Sequence, residues 1–404
     1  MMPMFDETLP HKTLFELLTD ATDDRDAFYD AMPALPGAYR DVSGTWMVGR
    51  YRLACAVLDH PALTTRSPLV ECDVVRDEAG LLDTMLFADD SMHERMRKTF
   101  APLFAKPRLA ALRTHLASDL DALLEQIPDP RRFDLVEHIA QRLPALAACR
   151  LLGIDPVHAP RLQAQSMGPI RLISAMPIGP ADHALAVAQT RRFVDELDVH
   201  LDTVCAVLQA GGTRPALARR QLLANVLLTF IAGYGTTMLS LGNTFAQALA
   251  RRDLWQALVQ EPRRVPLALR ELMRIEPAVH VMIRFARADV ELDGLRMAKG
   301  DVVAVVAAAA NRDPDEFAGP GDIRLDRAHG GLVFGAGSHG CLGAALARMQ
   351  LAVVFETLLA RMPGLMLEPG AHSRLQEGAF RGYRSLRVYD AAAPERRGHT
   401  GRRK

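Results

Sequence analysis

The run Phe334-Gly335-Ala336-Gly337-Ser338-His339-Gly340-Cys341-Leu342-Gly343 sets a lone cysteine among four glycines within nine positions. Thiolates ligate metals, and glycines pack a core poorly, so this cysteine reads as a ligand rather than a packing residue. The glycine-rich backbone can lie flat against a large planar group. An Ala/Leu-rich stretch follows and predicts a helix, with Cys341 just ahead of its N-terminus, where backbone amides stabilise negative charge on sulfur. Cys55, Cys149 and Cys205 sit in apolar helical stretches and read as small buried hydrophobes; Cys72 carries no signal. The cysteines show no paired spacing. The N-terminus lacks a basic start followed by an apolar core, so a reducing, cytoplasmic location is expected.

The same run contains Gly335-x-Gly337-x-x-Gly340, a dinucleotide fingerprint, which makes a nucleotide-dependent oxidoreductase the formal rival. That fingerprint needs a preceding strand in a βαβ unit and an acid about 20 positions on. Here the strand is at best Gly331 to Phe334, and Glu356 falls inside a predicted helix.

The run resembles the haem-binding signature of the cytochrome P450 family, Phe-Gly-x-Gly-x-His-x-Cys-x-Gly, at every fixed position. Other family landmarks occur in order: His93-Glu94-Arg95-Met96-Arg97, Ala232-Gly233-Tyr234-Gly235-Thr236-Thr237, Glu271-Leu272-Met273-Arg274 and Asn311-Arg312-Asp313-Pro314. Together they span roughly residues 93 to 343. The resemblance implies a mainly α, single P450-type domain over 1–390 with a smaller β-rich part, followed by a basic, disordered tail over 391–404. It implies haem b between a central helix and the cysteine loop, with the Cys341 thiolate as axial ligand.

The family's residues carry over position by position. His93 and Arg97, four apart on one helix face, point by resemblance at a haem propionate, with His339 and Arg284 as the other donors. Ala232 and Gly233 on the central helix, and Phe334, Gly335 and Gly343 in the cysteine loop, complete the cofactor set. Glu271, Arg274 and Arg327 are expected to hold the loop structurally, although the Arg327 alignment is one residue short. Gly331 stands where members usually carry a histidine, so a propionate contact is either missing or supplied by His329. In the central helix, Gly235 replaces the acid that relays protons, beside Thr236 and Thr237, which keep the hydroxyls. Two glycines in one turn cost about 1 kcal/mol each relative to alanine. A local bulge that makes room for dioxygen and water is therefore expected. The missing acid points either to substrate-assisted hydroxylation or a less usual oxidation such as coupling, desaturation or nitration, or to an ordinary hydroxylase in which water replaces the acid. A haem sensor is the third reading, against which Thr236 and the apolar pocket segments count.

The resemblance places the substrate pocket at the loop Leu69 to Phe87, at Met167 to Ile178, at Phe230 and Tyr234, at Val279, Val281 and Met282 on a strand, and at Phe380. These segments are mostly apolar, with Arg171 and His280 as possible polar anchors, so a mostly hydrophobic small molecule is favoured. No flavin or iron–sulfur segment is present, so a separate ferredoxin and ferredoxin reductase are implied, docking on Arg95, Lys98 and Arg348 of a monomer. With 48 basic and 48 acidic residues the 404-residue chain has zero formal charge, and nothing suggests nucleic acid. Leu222 to Ala250 has no charged residue and is long enough to span a bilayer, but interspersed Asn, Thr and Gly make it a buried core helix instead.

Coarse patterning predicts helices at Asp90 to Phe104, Arg108 to Gln126, Leu135 to Leu152, Ala184 to Gln209, Arg219 to Ala250, Pro262 to Ile275 and Leu346 to Arg361. Trp46 to Asp59 reads as part of the β-rich region, Asp289 to Gly294 as a hairpin and Asp301 to Ala308 as a buried strand.

Overall fold

The computed structural model describes residues 12–19, 25–35, 37–67, 80–174, 178–212 and 216–391. Cys72, Met176, the stretch from Leu69 to Ala79 and the tail beyond Ala391 lie outside them. From the N-terminus come α1 (Leu14–Thr19), α2 (Arg25–Ala31), β1 (Ala38–Arg40), β2 (Trp46–Val48), α3 (Tyr51–Asp59) and β3 (Leu63–Thr64). The helical body follows with α4 (Asp90–Phe100), α5 (Lys106–Glu125), a short strand β4 (Arg132–Asp134), α6 (Leu143–Leu152), α7 (Ala159–Gln165), α8 (Met167–Ile173), α9 (Pro180–Asp198), α10 (Leu201–Ala210), α11 (Arg219–Ala250), α12 (Arg252–Gln260) and α13 (Val265–Ile275). The chain ends with β5 (Val281–Ala286), β6 (Val290–Leu292), β7 (Leu295–Met297), β8 (Val302–Val306), α14 (Ala307–Ala310), α15 (Ala344–Arg361), β9 (Leu365–Glu377) and β10 (Phe380–Asp390).

The fold is mainly α, as expected. Its five-stranded sheet runs β1-β2-β8-β5-β3, antiparallel except for the β2–β8 pair, and a three-stranded sheet runs β4-β10-β9. β8 reads as an unbroken apolar run because both of its faces are covered. Val303 and Val305 enter one core with α3, while Ala304 and Val306 enter another with α2. The 32-residue α11 is apolar almost all round because it packs on α6, α9, α13, α15 and β10 at the centre of the helical core. It is long and apolar enough to cross a membrane, yet 78% of its most apolar stretch is buried inside the protein.

The differences from expectation are local. Tyr51–Asp59 is a helix, not part of the sheet: Leu53, Ala54, Val57 and Leu58 are buried at helical spacing. Leu135 to Leu152 splits into a wide turn over Val136–Ala140 and then α6, which restarts with Pro144 in its first turn, where a missing N–H costs nothing. Ala184 to Gln209 divides between α9 and α10 at Val199–His200. β8 stops at Val306, and Ala307–Ala310 coils into α14. The hairpin turns on Asp293 and Gly294, both with positive φ, as a two-residue β-turn requires.

Candidate active site

The cysteine loop is folded by backbone contacts that only glycine permits. Gly335 and Gly337 have φ of +68° and +67°, and a Cβ on Gly337 would lie 2.8 Å from the Leu58 carbonyl at the end of α3. The Cys341 amide donates to the Phe334 carbonyl at 2.8 Å, and the Gly340 amide to Gly337 at 3.0 Å. Phe334 and Cys341 therefore stand together on the floor of a large cavity, with the Arg348 guanidinium stacked 4.4 Å over the Phe334 ring. Cys341 opens onto the cavity yet is walled off from bulk water. That burial pushes its thiol up, against the Gly343 amide, Arg97 and Arg348, all of which favour the thiolate. A bound metal would tip this balance to the anion.

Gly331 also has positive φ, and a Cβ there would lie 2.2 Å from Asn311 Oδ1, which accepts from the Leu332 amide at 2.6 Å. No side chain fits this position. His329 does not substitute for one: its ring turns away from the cavity to Glu316 (2.9 Å) and Tyr51.

Above the loop, His93 and Arg97 from α4, Arg284 from β5 and His339 line the cavity together. The His93 and His339 rings are 4.2 Å apart, and Arg97 donates to the Gly340 carbonyl at 2.7 Å. Arg284 reaches only the carbonyl of its neighbour Ile283, leaving a buried Nε without a partner. Burial brings the Arg284 guanidinium down to about 10, and burial together with His93, Arg284 and Arg97 drives the His339 imidazole down to about 3. Asp89, whose charge acts on Arg284, is taken up by the Thr64 hydroxyl. Two guanidiniums and two imidazoles facing a cavity, with one donor unmet, fit the two propionates of haem, and the flat glycine loop with its thiol fits the macrocycle and its iron.

Across a cavity of about 660 Å³ runs α11, with Ala232, Gly233, Gly235, Thr236 and Thr237 on the wall. The expected bulge is absent, and the helix stays regular through both glycines. Thr236 Oγ1 instead bonds back to the Ala232 carbonyl at 2.7 Å, and Ser240 to that of Thr236 at 2.8 Å. The two glycines differ in purpose. A Cβ on Gly233 would meet nothing within 4 Å, whereas one on Gly235 would lie 3.2 Å from Ile170 Cδ1 of α8.

Val279, Val281, Met282 and Phe380 line the cavity, as do Leu81, Leu82, Met85, Leu86, Phe87 and Met167. Phe230 and Tyr234 do not: they lie on the opposite face of α11, with Phe230 packed 5.4 Å from Phe193. His280 is likewise turned away, to the Tyr29 hydroxyl at 3.0 Å. Sequence reasoning missed Glu377 and Gln350. Glu377, at the β9–β10 tip, is the one carboxylate lining the cavity among the described residues. Its Oε2 is buried without a partner, and Arg171 stands 3.9 Å from its Oε1. Gln350 of α15 is wholly buried against the cavity, with neither amide atom bonded.

On the far side of the loop, Arg274 grips Glu271 with two bonds of 2.9 and 3.0 Å, and Arg327 reaches the same carboxylate at 2.8 Å. Burial alone would raise the Glu271 carboxyl; Arg274, the Arg324 amide and Arg327 hold it below the usual range. On the surface, Arg95 and Arg348 are exposed, while Lys98 pairs with Glu94 at 2.6 Å. The dinucleotide reading fails, since no strand lies between Ala310 and Ala344 to precede the glycine run.

A family model described as Cytochrome P450 matches residues 183–366. The chain is 31% identical to "Cytochrome P450 monooxygenase PikC" of Streptomyces venezuelae, covering 85% of this chain and 84% of that one. It is 30% identical to the "Mycinamicin IV hydroxylase/epoxidase" of Micromonospora griseorubida, over 82% and 86% of the two chains. Among solved structures it superimposes on ligand-free CYP164A2 of Mycobacterium smegmatis with a TM-score of 0.81 and 25% identity, covering 93% and 99%.

Proposed function

Since this chain belongs to the cytochrome P450 family, whose members carry haem b on a cysteine thiolate, we propose that it is a haem-thiolate monooxygenase of secondary metabolism with Cys341 as the iron ligand. In this reading His93, Arg97, Arg284 and His339 hold the propionates, and Ala232, Gly233, Phe334, Gly335 and Gly343 bound the macrocycle. The haem, when bound, supplies the redox centre at which dioxygen is reduced. The sensor alternative gives way to the enzymes among the relatives, which are named monooxygenase and hydroxylase. Electrons come from a separate ferredoxin and ferredoxin reductase, docked near Arg95 and Arg348 on the cysteine side of a cytoplasmic monomer.

The observation that carries the choice of reaction is the crowding at Gly235. A side chain begun there would press on Ile170 Cδ1 at 3.2 Å, and Thr236 spends its proton on the Ala232 carbonyl. To pass a proton into the cavity Thr236 must release Ala232 and be resupplied, by the substrate, by water or by another group of the wall. That favours substrate-assisted hydroxylation, or coupling, desaturation or nitration. The reaction type is read by turnover under isotopically labelled dioxygen with a surrogate ferredoxin system. One labelled oxygen in the product means hydroxylation or epoxidation, whereas two lost hydrogens or joined molecules mean desaturation or coupling. A Gly235→Asp/Ile170→Ala protein, which makes room for the acid, is expected to raise product formed per electron, with a rate gain on the order of a hundredfold, the low end for a positioned general acid. An unchanged yield would remove the missing acid from the explanation.

The mostly apolar wall favours a hydrophobic small molecule, and Glu377 adds a place for a basic nitrogen. Glu377→Gln is expected to weaken amine-bearing ligands by about tenfold or more, since a charge-assisted hydrogen bond contributes about 1.5–3 kcal/mol and about 1.4 kcal/mol is tenfold. Titrations followed by the haem absorption shift check this. Equal weakening of a neutral ligand of the same shape would mean that the carboxylate is not an anchor.

A further inference from the structure

Outside the cavity, at the corner where α9 passes into α10, two imidazoles and a carboxylate converge. His200 sits at the junction, Glu196 one turn earlier on α9, and His158 at the end of the short helical turn Pro156–His158 that leads into α7. One ligand atom from each lies within 4.8 Å of the others, and the two rings are 4.6 Å apart at 62°. Among the described residues this is the one grouping of His, Cys, Asp and Glu so disposed. Among the described residues, none hydrogen-bonds to either imidazole. Arg161 holds one oxygen of Glu196 at 2.5 Å, which orients the carboxylate. All three are half-buried, so their positions are set by packing, and the corner remains open to solvent for entry and for a water ligand.

We propose that His158, Glu196 and His200 form a binding site for a divalent transition ion of the zinc class. Two imidazole nitrogens and one carboxylate oxygen suit Zn(II), with Cu(II) and Ni(II) as competitors, and suit Ca(II) and Mg(II) poorly, because those ions take mostly oxygen. The ligands come from two separate segments, so the ion ties the end of α9 to the turn before α7. α7 packs on α9, and both α8 and α9 contribute to the cavity wall. The site is therefore a clamp on the corner that carries the wall over the substrate cavity, and it does not depend on which reaction the cavity performs.

Chelator-treated, haem-loaded protein, in which Cys341 is occupied, is titrated with zinc sulfate by calorimetry, alongside His158→Gln, His200→Gln and the double variant. One ion per chain at micromolar affinity or tighter is expected, with each single variant weakened by at least about tenfold, the scale of disturbing a metal's ligand shell. Zinc is also expected to slow hydrogen exchange of the amides around 156–162 and 196–204 in the wild type and not in the double variant. Cobalt(II) in place of zinc should give the visible absorption of a four-coordinate site. Undiminished zinc affinity in the double variant, or binding only at millimolar zinc, overturns the proposal. Binding without slowed exchange at these two segments overturns the clamp.

Discussion

Cys341→Ser should leave a folded protein that has lost its chemistry. The loop is held by the Phe334–Cys341 and Gly337–Gly340 backbone bonds and by the close packing of Gly337 on α3, none of which uses sulfur. Serine fits the same space, so the unfolding midpoint of the apoprotein should move by no more than about 1 kcal/mol, the scale of an isosteric change. What serine cannot do is present a soft anion to iron. The Gly343 amide, Arg97 and Arg348, which favour the Cys341 thiolate, would face a neutral hydroxyl whose ionisation lies far out of reach. The reduced, carbon-monoxide-bound spectrum should therefore lose the long-wavelength band of a thiolate-ligated haem, and substrate turnover should drop to background. Thr236→Ala is the control, keeping the spectrum while altering product per electron. A thiolate-type spectrum that survived in Cys341→Ser would mean that another cysteine holds the iron. Among the described residues, Cys149 is fully buried, and Cys55 and Cys205 line no part of the cavity, so none of these three is placed to do so.

The cysteine loop was legible because its residue types are constrained twice, by the metal and by backbone contacts that exclude a Cβ. Arg327 was legible in spite of a one-residue slip in alignment, because the guanidinium reaches the Glu271 carboxylate from a loop that absorbs the difference. Phe230 and Tyr234 were misplaced for a physical reason. A helix apolar on all sides gives no phase, and each residue turns by about 100°. The phase was nonetheless present in the small and hydroxylated positions Thr229, Gly233, Thr236 and Ser240, which recur every three or four residues and line the cavity. Gly331 looked like a lost propionate contact. Its meaning needed Asn311, whose side chain occupies the space a histidine would enter. Glu377 gave no sequence signal at all, since a hairpin tip acquires its surroundings only from tertiary packing. α3 was misread by weighting the short apolar runs over the helical spacing of Leu53, Ala54, Val57 and Leu58.

Arg274→Ala is expected to be strongly destabilising, and the reason separates a structural pin from an ordinary ion pair. Glu271 and Arg274 are both 0% exposed. Besides Glu271, Arg274 donates to the carbonyls of Asn311, Pro320 and Asp322 at 2.8–3.1 Å, so it ties α13 to the segment that leads into the cysteine loop. Removing it leaves a buried carboxylate with one arginine fewer and three carbonyls without this donor. Breaking a buried pair costs about 3–5 kcal/mol, against a total stability of about 5–15 kcal/mol for a typical protein. Urea unfolding should show that loss in the midpoint, and purified protein should retain little haem. If the pair mattered only as two opposite charges, Glu271→Leu/Arg274→Met, with similar volume and no charge, would restore stability, as apolar replacements of buried pairs often do. It should not do so here, because the carbonyls of Asn311, Pro320 and Asp322 would stay unbonded and Arg327 would lose its carboxylate. Arg327→Lys keeps a charge at the rim, where the side chain is 9% exposed, and should cost less than Arg274→Ala. Equal losses for Arg274→Ala and Arg327→Lys, or full recovery in the apolar double variant, would show that the network neutralises charge without holding the loop.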